Sequence, residues 1–217
     1  MAPGTPYDEL HRVRPPRQDR SRRAQRAALD AFEALLAERD PSKVTVQEIA
    51  DRAGLSITSI YARFDGKSAL VLALHERVIG QGMAQLDQFL GQEAVATAPV
   101  EDIVADLVDG AVTFADAHAH VFRTVLLAAD GETNERAAAF IRAGSERIAG
   151  VLAPRLPHPR AQAERDIDFA WRSVAAVLQQ HWALGGASPG RFPLSPAELA
   201  TRLTRQFLAT IGRLSTS

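Results

Sequence analysis

Apolar residues recur along this chain at helical spacing, and nowhere do they alternate over a useful length. Ala24, Ala27, Ala28, Ala31, Phe32, Leu35 and Leu36 follow the i, i+3, i+4, i+7 rule. That spacing predicts an amphipathic helix over roughly 20–38. Asp40-Pro41 stops it, because a residue before proline is steered out of the α region. Thr45-Val46-Gln47-Glu48 has the form of a capping box and starts a short helix with Ile49, Ala50 and Ala53 inward. Gly54 ends that helix, being free to take a positive φ, and Ser56 can cap a second short helix reaching to about Phe64.

The remainder predicts longer helices. Leu70, Leu74, Val78, Leu86 and Phe89 mark one of roughly 67–91, and Ile103 to Val112 mark the next. Val121, Phe122, Val125 and Leu126 mark a short one. Phe140, Ile141, Gly144, Ile148, Val151 and Leu152 mark another, closed by Pro154 and Pro157. Ile167, Trp171, Val174, Leu178 and Trp182 define a helix of roughly 161–184, and Leu199, Leu203, Phe207, Ile211 and Leu214 the last, opened by Ser195-Pro196. Gly185 to Pro193 reads as a loop. The expectation is an all-α fold of about nine helices, with no repeat and no low-complexity tract.

Composition narrows the picture. The 217 residues contain no cysteine, which removes disulfides, thiolate metal sites and a cysteine nucleophile together. Met1 to Pro16 has no apolar h-region, so no signal peptide is expected. No uncharged apolar run approaches the roughly 18 residues of a spanning helix. No P-loop, GxSxG or GxGxxG is present. His118-Ala119-His120 is not a metal pair, because i and i+2 point to different helix faces. No cofactor and no metal are expected. The net charge of −1 gives no hint of nucleic acid, yet it averages unlike regions. Arg12, Arg14, Arg17, Arg20, Arg22, Arg23 and Arg26 face only Asp19 between positions 11 and 26. Such a basic run suits phosphate neutralisation.

Val44 to Leu70 is the informative stretch. A capped short helix, a glycine-containing turn and a second short helix make a helix-turn-helix by pattern. Ile49, Leu55 and Ile60 are spaced to meet beneath the crossed helices. The second helix offers Thr58, Ser59, Tyr61, Ala62 and Arg63, short or polar enough for a major groove.

Here a family resemblance enters. Thr45-Val46-x-x-Ile49-Ala50-x-x-Ala53-Gly54-Leu55-Ser56-x-x-x-Ile60-Tyr61-x-x-Phe64-x-x-Lys67-x-x-Leu70 resembles the DNA-binding domain of the TetR family of transcriptional regulators, over roughly Arg20 to Leu74. The resemblance implies that Thr45 contacts a phosphate, that Thr58 and Ser59 lie against base edges, that Tyr61 bonds a phosphate and that Lys67 touches the backbone. Ser56, Arg63, Arg20, Arg22 and Arg23 complete the expected DNA-contacting set. Arg63 stands where the family often has His, adding a permanent charge. Gly66 stands where Ser is common, an expected loss of a few tenths of a kcal/mol in capping.

The resemblance further implies a flexible basic arm over 1–17, a DNA-binding domain over 18–66 and an effector-binding and dimerisation domain over 67–217. A cytoplasmic, ligand-responsive repressor is expected, without enzymatic activity. It would bind a pseudo-palindromic operator as a homodimer, since one short recognition helix gives little specificity. A small molecule would release it. The expected effector pocket uses Phe114, His118 and Phe122, four apart on one helix face, with Arg123, Phe140, Trp171 and His181. The expected dimer interface is a two-fold four-helix bundle from Ile167, Val174, Leu178 and Trp182 on one helix and Leu203, Phe207 and Ile211 on the next. The alternatives are a non-specific nucleoid-type DNA binder and, further off, an all-α enzyme with a vestigial helix-turn-helix.

Overall fold

The computed structural model describes residues 19–128, 131–183 and 190–213. Among them are ten α-helices, two 3-10 turns and no strand, so the all-α expectation holds. The helices are α1 (Asp19–Glu38), α2 (Val46–Ala53), α3 (Ile57–Tyr61), α4 (Gly66–Leu90), α5 (Glu93–Thr97), α6 (Val100–Ala117), α7 (Ala119–Ala128), α8 (Gly131–Leu152), α9 (Arg160–Ala183) and α10 (Pro196–Thr210). The 3-10 turns are Pro41–Lys43 and Ala153–Arg155. The expected arm over 1–17 lies outside the described residues.

The chain forms two compact units, Met1–Gly80 with His120–Asp130, and Gln81–Ala119 with Gly131–Ser217. The first contains α1 to α3, the start of α4 and most of α7. Its core is Leu29, Phe32, Leu35, Leu36, Ile49, Ile60, Phe64, Leu70 and Leu74, all buried. Most of these are the positions the helical period selects. Polar contacts from α4 and α7 converge on α1 in the same unit. Arg77 reaches Asp30 and Glu33 at 2.5 Å each, and His120 Nε2 lies 3.8 Å from Glu33.

The second unit is built on one apolar cluster running from Val95 through Val104, Leu107 and Val108 to Ile148, Leu152, Ile167, Val174, Leu203 and Phe207. Here α8 packs on α9, and α10 on both α6 and α9. Two close approaches rely on glycine. A Cβ at Gly82 would stand 3.0 Å from the Phe114 ring, and one at Gly144 would stand 2.9 Å from Trp171 Nε1. Ser195 opens α10 with a full capping box to Glu198.

Two expectations about boundaries need correction. The helix expected to carry Phe114, His118 and Phe122 on one face ends at Ala117, with His118 turned out of the helical region at φ −110° and ψ 17°. Phe122 belongs to the separate helix α7. Gly66 takes φ +79° at the head of α4. A left-handed position favours glycine over serine, so the expected capping deficit does not describe this site.

Candidate nucleic-acid interface

The helix-turn-helix is assembled by local chemistry. Thr45 Oγ1 accepts from the Glu48 N–H at 3.2 Å, and Glu48 Oε2 accepts from the Thr45 N–H at 2.9 Å. The capping box read from the sequence is therefore complete. Arg39 Nη1 adds a bond to Glu48 Oε1 at 2.8 Å, tying α2 to the end of α1. These donors, the Thr45 backbone first, hold the Glu48 carboxyl below the usual carboxylate range. Arg52 donates to both Glu38 oxygens, a second clamp between α2 and α1 that lowers the Glu38 carboxyl. Asp40 caps the Pro41–Lys43 turn through Ser42, and those bonds lower its carboxyl too.

Gly54 takes φ +65° and ends α2. Ser56 then caps α3: its Oγ accepts from the Ser59 N–H at 3.1 Å and donates to Ser59 Oγ at 2.9 Å. Ser59 itself is half-buried on α3. Ile60 is buried beneath α3, Leu55 half-buried, and Thr58 exposed on the opposite face. Tyr61 is 52% exposed while Phe64 is fully buried, so Tyr61 does not sink into the core with Phe64. The helix proper stops at Tyr61, short of the expected Phe64. The backbone nevertheless keeps bonds from Ala62 to Thr58 and from Phe64 to Ile60.

Two of the expected cations have protein partners. Arg63 Nη1 donates to the Ser59 carbonyl at 2.6 Å, closing the carboxyl end of α3. Lys67 Nζ donates to the Pro41 carbonyl at 2.6 Å, fastening α4 to the α1–α2 connection. An ammonium has three donors, so this bond leaves Lys67 able to meet a phosphate. The Lys67 tether was not legible from spacing, because Lys67 and Pro41 lie 26 residues apart. Arg20, Arg22 and Arg23 are exposed on the first turns of α1, which begins at Asp19. Arg12, Arg14 and Arg17 lie outside the described residues.

The residues expected at an effector pocket divide between the units. Phe114, His118, Phe140, Trp171 and His181 belong to the second, Phe122 and Arg123 to the first. Phe114 and His118 stack at 4.6 Å, whereas Phe122 meets the edge of His75 at 6.3 Å. Trp171 is buried, and the others are half-buried.

The expected dimer residues face the wrong way for that role. Ile167, Val174, Leu178, Leu203, Phe207 and Ile211 are buried in the second unit's own core. Their spacing suits helix-on-helix packing, and the partners are α6, α8, α9 and α10 of the same chain. Trp182's side chain lies outside the described set. What α9 exposes instead is Phe169 at 56% and Val177 at 39%, with Arg172 between them. The Arg172 guanidinium stands 6.0 Å from the Phe169 ring centroid and bonds Asp168 at 3.0 Å. These apolar residues lie off the buried stripe, which is why a search for the strongest stripe passed over them.

A two-helix reading head carried on α1, among described residues that form helices and no strand, has the form of a helix-turn-helix DNA-binding domain. Residues 28–74 match the family described as bacterial regulatory proteins, tetR family. Over that segment the chain carries the DNA-binding domain of the tetR family. No curated protein sequence matches it. Solved structures share its fold at low identity. A tetR-family transcriptional regulator from Streptomyces coelicolor is 21% identical with a TM-score of 0.63, covering 86% of this chain and 81% of that one. A TetR regulator from Rhodococcus sp. RHA1 is 18% identical with a TM-score of 0.60, covering 91% and 100%. The TetR family repressor AlkX from Dietzia sp. strain DQ12-45-1b, implicated in n-alkane biodegradation, is 18% identical with a TM-score of 0.55, covering 93% and 100%. No described helix is long and apolar enough to cross a membrane.

Proposed function

We propose that this regulator is a ligand-responsive repressor in the cytoplasm, which binds a pseudo-palindromic operator as a homodimer and leaves it when a small molecule binds. The observation that carries the reading is the capped α3, with Thr58 and Tyr61 exposed and Ile60 buried beneath them. Thr58 and Ser59 read base edges. Thr45, Ser56, Tyr61, Arg63 and Lys67 meet phosphates, and Arg20, Arg22 and Arg23 add sequence-independent attraction. The division of labour is an arm over 1–17, DNA binding over 18–66, and effector binding with dimerisation over 67–217.

Dimerisation uses the outer face of α9, through Phe169 and Val177, in place of the buried stripe. Two copies related by a two-fold axis then present their recognition helices one helical turn apart, about 34–36 Å. The effector binds one arrangement of the C-terminal helices better than another and acts on α3 through α4. Its differential affinity, of about 1–3 kcal/mol, sets the size of the response. The reading makes no use of catalytic groups. Selection from random duplex DNA tests it: an enriched palindrome with half-sites one turn apart is expected. Equal recovery of all sequences would leave only a non-specific DNA binder.

A further inference from the structure

At the crossing of α8 and α9, the indole of Trp171 lies against the backbone of Gly144. A Cβ there would stand 2.9 Å from Nε1 and 3.3 Å from Cε2, so this ring position exists only because residue 144 is glycine. Trp171 is 9% exposed, and its Nε1–H has no acceptor among the described residues. Helical carbonyls at the crossing are spent along the helix axes. A buried indole N–H ordinarily finds a partner, and leaving it without one is costly. The neighbouring polar groups are already engaged with each other: Ser145 Oγ donates to Asp168 Oδ1 at 3.0 Å, and Asp168 Oδ2 meets Arg172. Trp171 belongs to the apolar cluster that also buries Ile148, Ala170 and Val174, with Ile141 packed against it.

We propose that Trp171 is the polar recognition residue of the effector site, donating its indole N–H to an oxygen acceptor on an otherwise apolar, uncharged ligand. This rests on the ligand-responsive reading above. The class of ligand follows from the groups at the crossing. A single neutral donor selects a carbonyl, ether or hydroxyl oxygen. The Asp168 carboxylate one helical turn away opposes an anion. An ammonium would find no acceptor at the indole N–H. Apolar neighbours favour a hydrocarbon body, as small-molecule sites usually combine an apolar lining with few polar groups. Gly144 is the positioning residue, since any side chain there displaces the ring.

Indole N–H resonances of the full-length protein test this with 2-heptanone and heptane as probes, alike in shape and differing in one oxygen. The chain has two tryptophans, so Trp171→Phe assigns the Trp171 signal by its loss. We expect 2-heptanone to move that proton downfield saturably and to bind about tenfold tighter than heptane, the worth of one neutral hydrogen bond. In Trp171→Phe the two probes should bind equally. No saturable shift, equal affinities in the unaltered protein, or a preference that survives Trp171→Phe would each overturn the proposal. Should that variant fail to fold, the comparison of the two probes on the unaltered protein decides alone. Operator binding followed in the same samples separates this claim from the one beneath it. A Trp171 shift with operator affinity unchanged keeps the donor site and removes the regulatory reading. Operator release without the shift does the reverse.

Discussion

Gly54 holds φ +65° between the two helices of the reading head, with open space where a Cβ would go. The cost of a side chain there is therefore conformational alone. Gly54→Ala should destabilise by about 1–2 kcal/mol, the usual left-handed penalty. Thermal unfolding should show a midpoint lower by a few degrees, with no change in the helical spectrum of the folded state. Glu48 supports the same turn by charge. Its carboxyl is lowered in the folded chain, chiefly by the Thr45 backbone N–H, so its contribution is present above the ordinary carboxylate pKa and fades as pH falls through the folded value. Gln keeps the acceptor of a capping box but cannot titrate. Glu48→Gln should accordingly narrow the difference in melting temperature between pH 7 and pH 4, and a variant with an unaltered pH profile would count against the assignment. Both residues were legible in the sequence because capping boxes and glycine ends are written in four or five consecutive letters. The tether from Lys67 to Pro41 was not, since a long cation's choice of a carbonyl 26 residues away depends on the folded path.

At the scale of elements, the proposed function gives α3 two kinds of contact that mutation can separate. Thr58→Ala removes a base-facing group and should flatten discrimination among operator variants, by about 1–3 kcal/mol at one position at most. Tyr61→Phe removes only a hydroxyl suited to phosphate, so it should weaken all duplexes alike. Binding to a panel of single-base operator variants distinguishes the two patterns. The outer face of α9 is the other element with a testable role. Phe169→Ala with Val177→Ala should shift the protein towards monomer by light scattering at micromolar concentration, while helix content stays constant because both side chains are exposed. An unchanged dimer would exclude this face. The buried stripes of α9 and α10 illustrate how far periodicity reaches. It identifies a face that must be covered, and it is silent on whether the cover comes from the same chain. The break at His118 was hidden for a related reason. Phe114, His118 and Phe122 keep a four-residue register across a stop that neither glycine nor proline announces. Helix α5, five residues with one buried side chain, is too short to have a stripe.

Over the whole molecule, the net charge of −1 is the sum of two opposite regions. No Lys or Arg occurs between Arg77 and Arg123, while Asp87, Glu93, Glu101, Asp102, Asp106, Asp109 and Asp116 do. On α6 the acids Asp102, Asp106, Asp109 and Asp116 are all exposed. The compensating negative charge therefore sits in the second unit, away in sequence from the arginines that lead into α1. Arg20, Arg22 and Arg23 are exposed on α1, and released counterions make such contacts steeply salt-dependent. If each meets one phosphate, replacing all three with Ala should lower the slope of log K against log salt by about 3, with less effect on the ranking of operator sequences. Neutralising Asp102, Asp106 and Asp109 as Asn should not lower that slope, because groups that meet no phosphate release no counterions on binding. It should instead raise affinity for all duplexes at low salt by relieving long-range repulsion, an effect that disappears once the Debye length falls below about 10 Å. Fluorescence anisotropy across a salt series reads both quantities from the same titrations. A slope that ignores the arginines and follows the aspartates would assign the DNA-facing surface to the wrong unit.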